Sequence, residues 1–76
     1  MKIEIKSIKL SEDFSIIVYW NTYRNHDESI PKYEYYLRYH NNEYFEFGGN
    51  CYIEADDLIN SGWFNLSILQ LRENNK

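Results

Sequence analysis

The sequence predicts an α+β fold: a mainly antiparallel β-sheet of four to five strands, open or closed into a partial barrel, with one short helix. Three observations predict it. Apolar and polar residues alternate in segments around residues 3–10, 14–23 and 33–47, and a period of two marks strands with one buried face. The residues there are the β-branched and aromatic types that suit a pleated surface. Ala55, Leu58 and Ile59 then fall at helical spacing, with Gly62 placed to stop the helix.

Ile3 and Ile5 alternate with charges, and Ile8 and Leu10 continue one residue out of phase. That slip, at Lys6-Ser7, predicts a β-bulge. Leu10-Ser11-Glu12-Asp13 reads as a turn. In residues 14–23, Phe14, Ile16, Val18 and Trp20 share one face while Ile17 and Tyr19 take the other. Apolar residues on both faces predict a central strand covered on both sides. Residues 21–32 are polar and include Pro31, which has no N–H and steers Ile30 away from helix, so a loop is expected.

Residues 33–40 and 44–47 predict a hairpin around Asn41-Asn42. An odd-length loop pairs Leu37 with Phe47, Tyr39 with Phe45, and Arg38 with Glu46. That gives one apolar face and one face with an ion pair. Cross-strand pairs contribute about 0.2–1 kcal/mol each, which favours this register over a two-residue loop that mixes the faces. Gly48-Gly49-Asn50 ends the strand. Asp56 and Asp57 sit at the start of the helix, where carboxylates suit its dipole. Residues 63–72 fit two patterns. Phe64, Leu66 and Ile68 alternate as in a strand, whereas Phe64, Ile68 and Leu71 fit a helix. The preceding Gly62 and the Asn65 and Ser67 insertions favour the strand. Residues 73–76 are expected to fray.

The chain has 76 residues, enough for one domain spanning 1–76. A chain of this size buries only about 60% of its unfolded surface. One cysteine allows no internal disulfide and points to a reducing compartment. Eight Tyr, four Phe and two Trp must fill the core, each burying roughly 150–250 Å². Lys2, Glu4 and Lys6, alternating with Ile3 and Ile5, leave no apolar signal-peptide stretch. The longest apolar run, residues 16–20, is far short of the roughly 20 residues a bilayer span needs. The expectation is a protein of the cytoplasm, that of a bacterial host. Phe, Tyr, Met, Ile, Asn and Lys outnumber Gly, Ala, Arg and Pro by 36 to 8. The first group has A/T-rich codons, so the gene is expected to come from an AT-rich source such as a low-GC bacterium, its phage or another mobile element.

The sequence offers little catalytic chemistry. Cys51 has His26 and His40 as possible partners and Asp27 as an orienter, but no local signature accompanies it, and a thiol beside a turn is the plainer reading. Structural zinc needs four Cys or His ligands; the chain has three such residues and no close pair. Glu54, Asp56 and Asp57 lack the interleaved ligands and Gly of a calcium loop. Gly48-Gly49 is not a phosphate-binding loop. The expectation is therefore no enzyme, no metal and no cofactor.

What remains is surface. With Tyr33, Tyr35, Leu37 and Tyr39 on one sheet face, the other shows Glu34, Tyr36, Arg38 and His40, joined by Tyr44 and Glu46. Tyr23, Tyr52 and Trp63 are also not all needed inside. Exposed Tyr and Trp are typical of binding hot spots. Net charge is −4 and the basic residues beyond the first nine are scattered, which disfavours nucleic acid and favours a basic protein surface. Carboxylates on alternate strand positions recur about every 6.6–6.8 Å, a spacing on the scale of a phosphate backbone. The candidate binding residues are Glu34, Tyr36, Arg38, Tyr44, Glu46, Asp56, Asp57 and Trp63.

In size, acidity and lack of catalytic sets the chain resembles, in profile and without any shared motif, small phage-encoded inhibitors of bacterial defence such as anti-CRISPR proteins. The resemblance implies a non-enzymatic inhibitor covering the basic nucleic-acid surface of a host effector. An immunity protein or antitoxin would use the same physics. A third possibility is a single-strand nucleic-acid binder stacking bases on Tyr36, Tyr44 and Trp63. An edge strand also leaves room for a homodimer.

Overall fold

Four strands run as an antiparallel meander: β1 (Lys2–Lys9), β2 (Phe14–Asn21), β3 (Tyr33–Tyr39) and β4 (Asn42–Gly49). They lie in the sheet in that order, so β1 and β4 are both open edges. Two helices follow, α1 (Ala55–Asn60) and α2 (Asn65–Asn74). The computed structural model describes residues 1–74, residues 24 and 25 by their backbone alone. The fold is α+β with an antiparallel sheet that is not closed, as the sequence predicts, but with a second helix in place of any fifth strand.

The β1–β2 hairpin turns through residues 11–13, where the Ser11 hydroxyl accepts from the N–H groups of Asp13 and Phe14. The expected bulge in β1 is present but sits at Ile5, one residue earlier than the hydropathy slip suggests: Glu4 faces Tyr19 and Lys6 faces Val18. The extra residue lets Ile8 reach the core beside Ile16, while Ile3 and Ile5 stay exposed. β2 stops at Asn21, two residues short of the expected end. Its side chain accepts from the Tyr23 N–H to start a 3-10 turn, Thr22–Asn25, inside the expected loop. The Asn21 amide also donates to Glu34 at 2.7 Å, so this buried polar group is satisfied from two sides.

The β3–β4 register differs from the expected one. Tyr39 faces Asn42 across a two-residue turn at His40-Asn41, and Arg38 faces Glu43. A bulge at Glu46 then restores the phase, so that Tyr35 faces Phe47. His40 closes the turn with a φ of 56°, the left-handed conformation expected of an Asn here. The bulge reconciles a tight turn with burial of Phe47, an option that pairing arithmetic without a bulge does not contain.

Both helices lie on one sheet face. Leu58 of α1 and Phe64 of the α1–α2 turn join Ile8, Phe14, Ile16, Val18, Tyr35 and Leu37 in the core, with Ile53, Ala55, Ile68 and Leu71 packed against it. Gly62, at φ 75°, ends α1 as the sequence indicates. Residues 63–72, expected as a strand, instead turn at Trp63-Phe64 and then form α2. Phe64, Ile68 and Leu71 are the residues that turn inward, which is the helical period. The tail expected to fray from residue 73 is helical through Asn74; residues 75 and 76 lie outside the described residues. Pro31 packs on Gly48, where an added Cβ would come within 3.0 Å of it.

The linker from β4 to α1 is fastened from inside the sheet. The fully buried Tyr35 ring stacks on Phe47 at 4.6 Å, and its hydroxyl accepts from the Ile53 N–H at 2.9 Å. Tyr35→Phe leaves that amide without its partner, and a lost hydrogen bond to a buried group costs about 1–3 kcal/mol. Denaturant unfolding should show a loss in that range. Amide exchange at Ile53 should accelerate while exchange in the centre of β2 follows only the global loss. Unchanged exchange at Ile53 would contradict the fastening role.

Candidate functional site

The sheet presents two unlike surfaces. On the outer face, away from the helices, Glu34, Tyr36 and Arg38 of β3 sit together as expected. Their neighbours are not those expected. The two-residue turn at His40-Asn41 places Glu43 and Phe45 opposite Arg38 and Tyr36, while Tyr44 and Glu46 turn to the helix side. There Tyr44 faces Leu37 in register and Glu46 accepts from the Ser67 hydroxyl of α2 at 2.9 Å. His40 belongs to the turn rather than to either face.

The outer face is a closed network. Lys2 donates to the Tyr36 hydroxyl at 2.6 Å, Tyr36 donates to Glu34 at 2.9 Å, and Lys2 lies 3.8 Å from Glu34. Arg38 pairs with Glu4 at 3.2 Å and Glu43 at 3.6 Å, and Tyr19 donates to Glu43. The Tyr36 ring meets Tyr19 and Phe45 edge-on and has the Lys2 ammonium 4.4 Å from its centroid. Ile17, flanked in register by Ser7 and Tyr36, is fully buried on this face although both helices lie on the other. Of the acids that a backbone mimic would need, Glu34 and Glu43 are thus paired with Lys2 and Arg38. Tyr36, whose ring is enclosed in this way, is a poor platform for a stacked base.

The helix side is open. Trp63 is 54% exposed, and Leu66 and Leu69, at successive three-residue steps along α2, are 65% and 54% exposed. Trp63 touches Phe47 edge-on at 4.9 Å. Two grooves meet at Glu46. One, of about 310 Å³, runs between β4 and α2 past Tyr44, Phe45, Ser67 and Leu71; the other, of about 380 Å³, lies between Phe47 and Trp63. A smaller apolar cleft of about 210 Å³ lies between Leu10, Ile59, Gly62 and Ile68. Asp56 and Asp57 occupy the exposed first turn of α1, as expected, next along the chain from this side. Cys51 is an exposed free thiol. Among the described residues no three His, Cys, Asp or Glu side chains come together as a metal-holding group. Among them, too, no helix is long and apolar enough to cross a membrane.

Of the eight residues singled out from the sequence, the structure gathers Glu34, Tyr36 and Arg38 into the outer network. Tyr44, Glu46 and Trp63 border the grooves, and Asp56 and Asp57 lie on α1. Sequence reasoning missed Phe45, Leu66 and Leu69. Leu66 and Leu69 are visible only once residues 65–74 are read as a helix, because they then fall off its Phe64-Ile68-Leu71 stripe. No family model matches the chain, and no curated protein or solved structure is significantly similar to it.

Besides Arg38, three groups hold their protons more tightly than usual. Lys2 is raised above its ordinary 10.5, chiefly by its hydrogen bond to Tyr36. Tyr19 and Tyr35 are raised above 10.0, chiefly by burial. A group with a raised folded pKa contributes its full stability below the unfolded pKa and loses it as pH rises through the folded one. All three therefore act in the same direction. The thermal midpoint should begin to fall as pH passes the ordinary tyrosine value of 10.0, and Tyr19→Phe should make that fall shallower. An alkaline slope identical in wild type and Tyr19→Phe would contradict the assignment.

Proposed function

We propose that this chain is a non-enzymatic binding protein that caps a basic working surface of another protein with its helix side. One observation carries the reading. Trp63, Leu66 and Leu69, with Tyr44 on the neighbouring strand, leave large apolar side chains in solvent although a marginal domain of this size gains stability from burying such groups. Exposed apolar clusters rimmed by polar residues mark interaction sites. Glu46 borders the grooves beside them, and Asp56, Asp57 and Glu73 are further acids on α1 and α2. The chain as a whole carries −4, which steers it toward a cationic partner.

The natural partner of this chemistry is a protein that handles nucleic acid through a Lys- and Arg-lined channel. Covering that channel inhibits it. The AT-rich residue usage suits a phage or mobile-element gene acting on a host defence effector. This inhibitor reading is favoured over a nucleic-acid binder by the enclosed ring of Tyr36 and by the pairing of the outer-face acids and bases with one another.

The test is affinity capture from host lysate with the wild-type chain, followed by titration of the purified partner with variants. Trp63→Ala is expected to weaken binding by more than 1 kcal/mol, as an aromatic anchor does. Asp56→Lys with Asp57→Lys should mainly slow association, and less so at high salt. Tyr36→Ala should change stability more than affinity. Absence of any partner in host lysate, or a Trp63→Ala variant that binds it as tightly as wild type, would sink the proposal.

A further inference from the structure

The two open edges of the sheet are not alike. β1 is defended: it carries Lys2, Lys6 and Lys9 and is bent by the bulge at Ile5, both devices that stop another strand from pairing. β4 carries no Lys or Pro, its own bulge lies beyond at Glu46, and its residues 42–45, regular in pairing with β3, are all exposed. Symmetric pairing of β4 with a second copy of itself would bring Glu43 and Glu46 against their counterparts, which like-charge repulsion opposes.

Glu46 completes the picture. Glu4, Glu34 and Glu43 each have a Lys or Arg partner on the sheet. Among the described residues no Lys or Arg pairs with Glu46, whose one hydrogen bond comes from Ser67. It is only half exposed, and it stands where the two grooves beside β4 meet, with Tyr44 and Phe45 on one side and Phe47 and Trp63 on the other. A half-buried carboxylate between aromatic walls is a socket for a cation.

We propose that β4 is a docking strand: an extended segment of the partner pairs with residues 42–45 and sets a Lys or Arg side chain on Glu46, its stem lying against Phe47 and Trp63. Main-chain hydrogen bonds then supply affinity and the alternate side chains supply selectivity, as in strand addition generally. The stem of a long cationic side chain suits an aromatic wall. This rests on the protein-binding reading above and names the chemistry of what is bound.

The test needs no knowledge of the partner. The full chain, isotope-labelled, is titrated with a capped peptide of alternating Lys and Val, with an alternating Glu and Val peptide as control. The expected result is slowed amide exchange and shifted resonances confined to residues 42–47 and the Trp63 indole, with no response to the Glu peptide. Glu46→Gln keeps an acceptor for Ser67 and removes the charge. It should weaken the Lys peptide on the order of tenfold, the size of one charged hydrogen bond. Glu43→Lys, on the same strand, should weaken it as well. No binding of the Lys peptide, shifts centred on α1 or β1, or equal affinity for wild type and Glu46→Gln would each overturn the docking strand. The two ideas fail separately: the captured partner and Trp63→Ala decide whether the helix side binds protein, and the peptide decides whether β4 receives a strand.

Discussion

Burial of Leu58 and Phe64 against Ile16, Val18, Tyr35 and Leu37 holds the helix layer to the sheet. It is the main apolar link between the helices and the sheet, since Ala55, Ile53, Ile68 and Leu71 pack around it only partly buried. Truncating one such side chain typically costs about 2–5 kcal/mol, against a net stability of about 4–11 kcal/mol for a domain this long. That contact also fixes where α2 lies relative to β4. The grooves at Glu46, the Ser67 bond and the exposure of Trp63 all follow from it.

Because the helix layer covers one face only, the other face has to complete itself. It does so with long side chains: Lys2, Tyr19, Tyr36 and Arg38 bond to one another's acids over a buried Ile17. A polar network of this kind is stabilising when every member is satisfied, and among the described residues no buried side-chain polar atom lacks a partner. The chain thus divides its many tyrosines by role. Tyr35 fastens the core, Tyr19 and Tyr36 knit the outer face, and Tyr44 is left at the edge that borders the grooves.

Much of the fold was legible in the sequence. Period-two alternation located all four strands, the central position of β2 was readable from apolar residues on both its faces, and Ala55, Leu58, Ile59 and Gly62 marked α1 and its end. Two features were not. Nothing at Glu46 signals a bulge, since the residue is neither Gly nor at a break in polarity, and without it the tight turn at His40-Asn41 puts Phe47 on the wrong side. α2 was masked because Leu66 and Leu69 are apolar yet face outward. They blur the helical stripe and, with Phe64 and Ile68, imitate strand alternation. The same two errors displaced the candidate site. The residues that break local pattern, Glu46, Leu66 and Leu69, are those that form the open surface.

In the proposed complex the helix side and β4 edge, rather than the outer sheet face, meet the other protein. Hydrogen-exchange mass spectrometry of the wild-type chain, free and saturated with its captured partner, reads this directly. The account requires protection to gather in residues 42–47 and 63–70 and to leave the β1–β2 hairpin as it was. Protection concentrated on β1 and β2, with β4 and α2 untouched, would place the contact on the face this structure shows to be self-satisfied and contradict the claim.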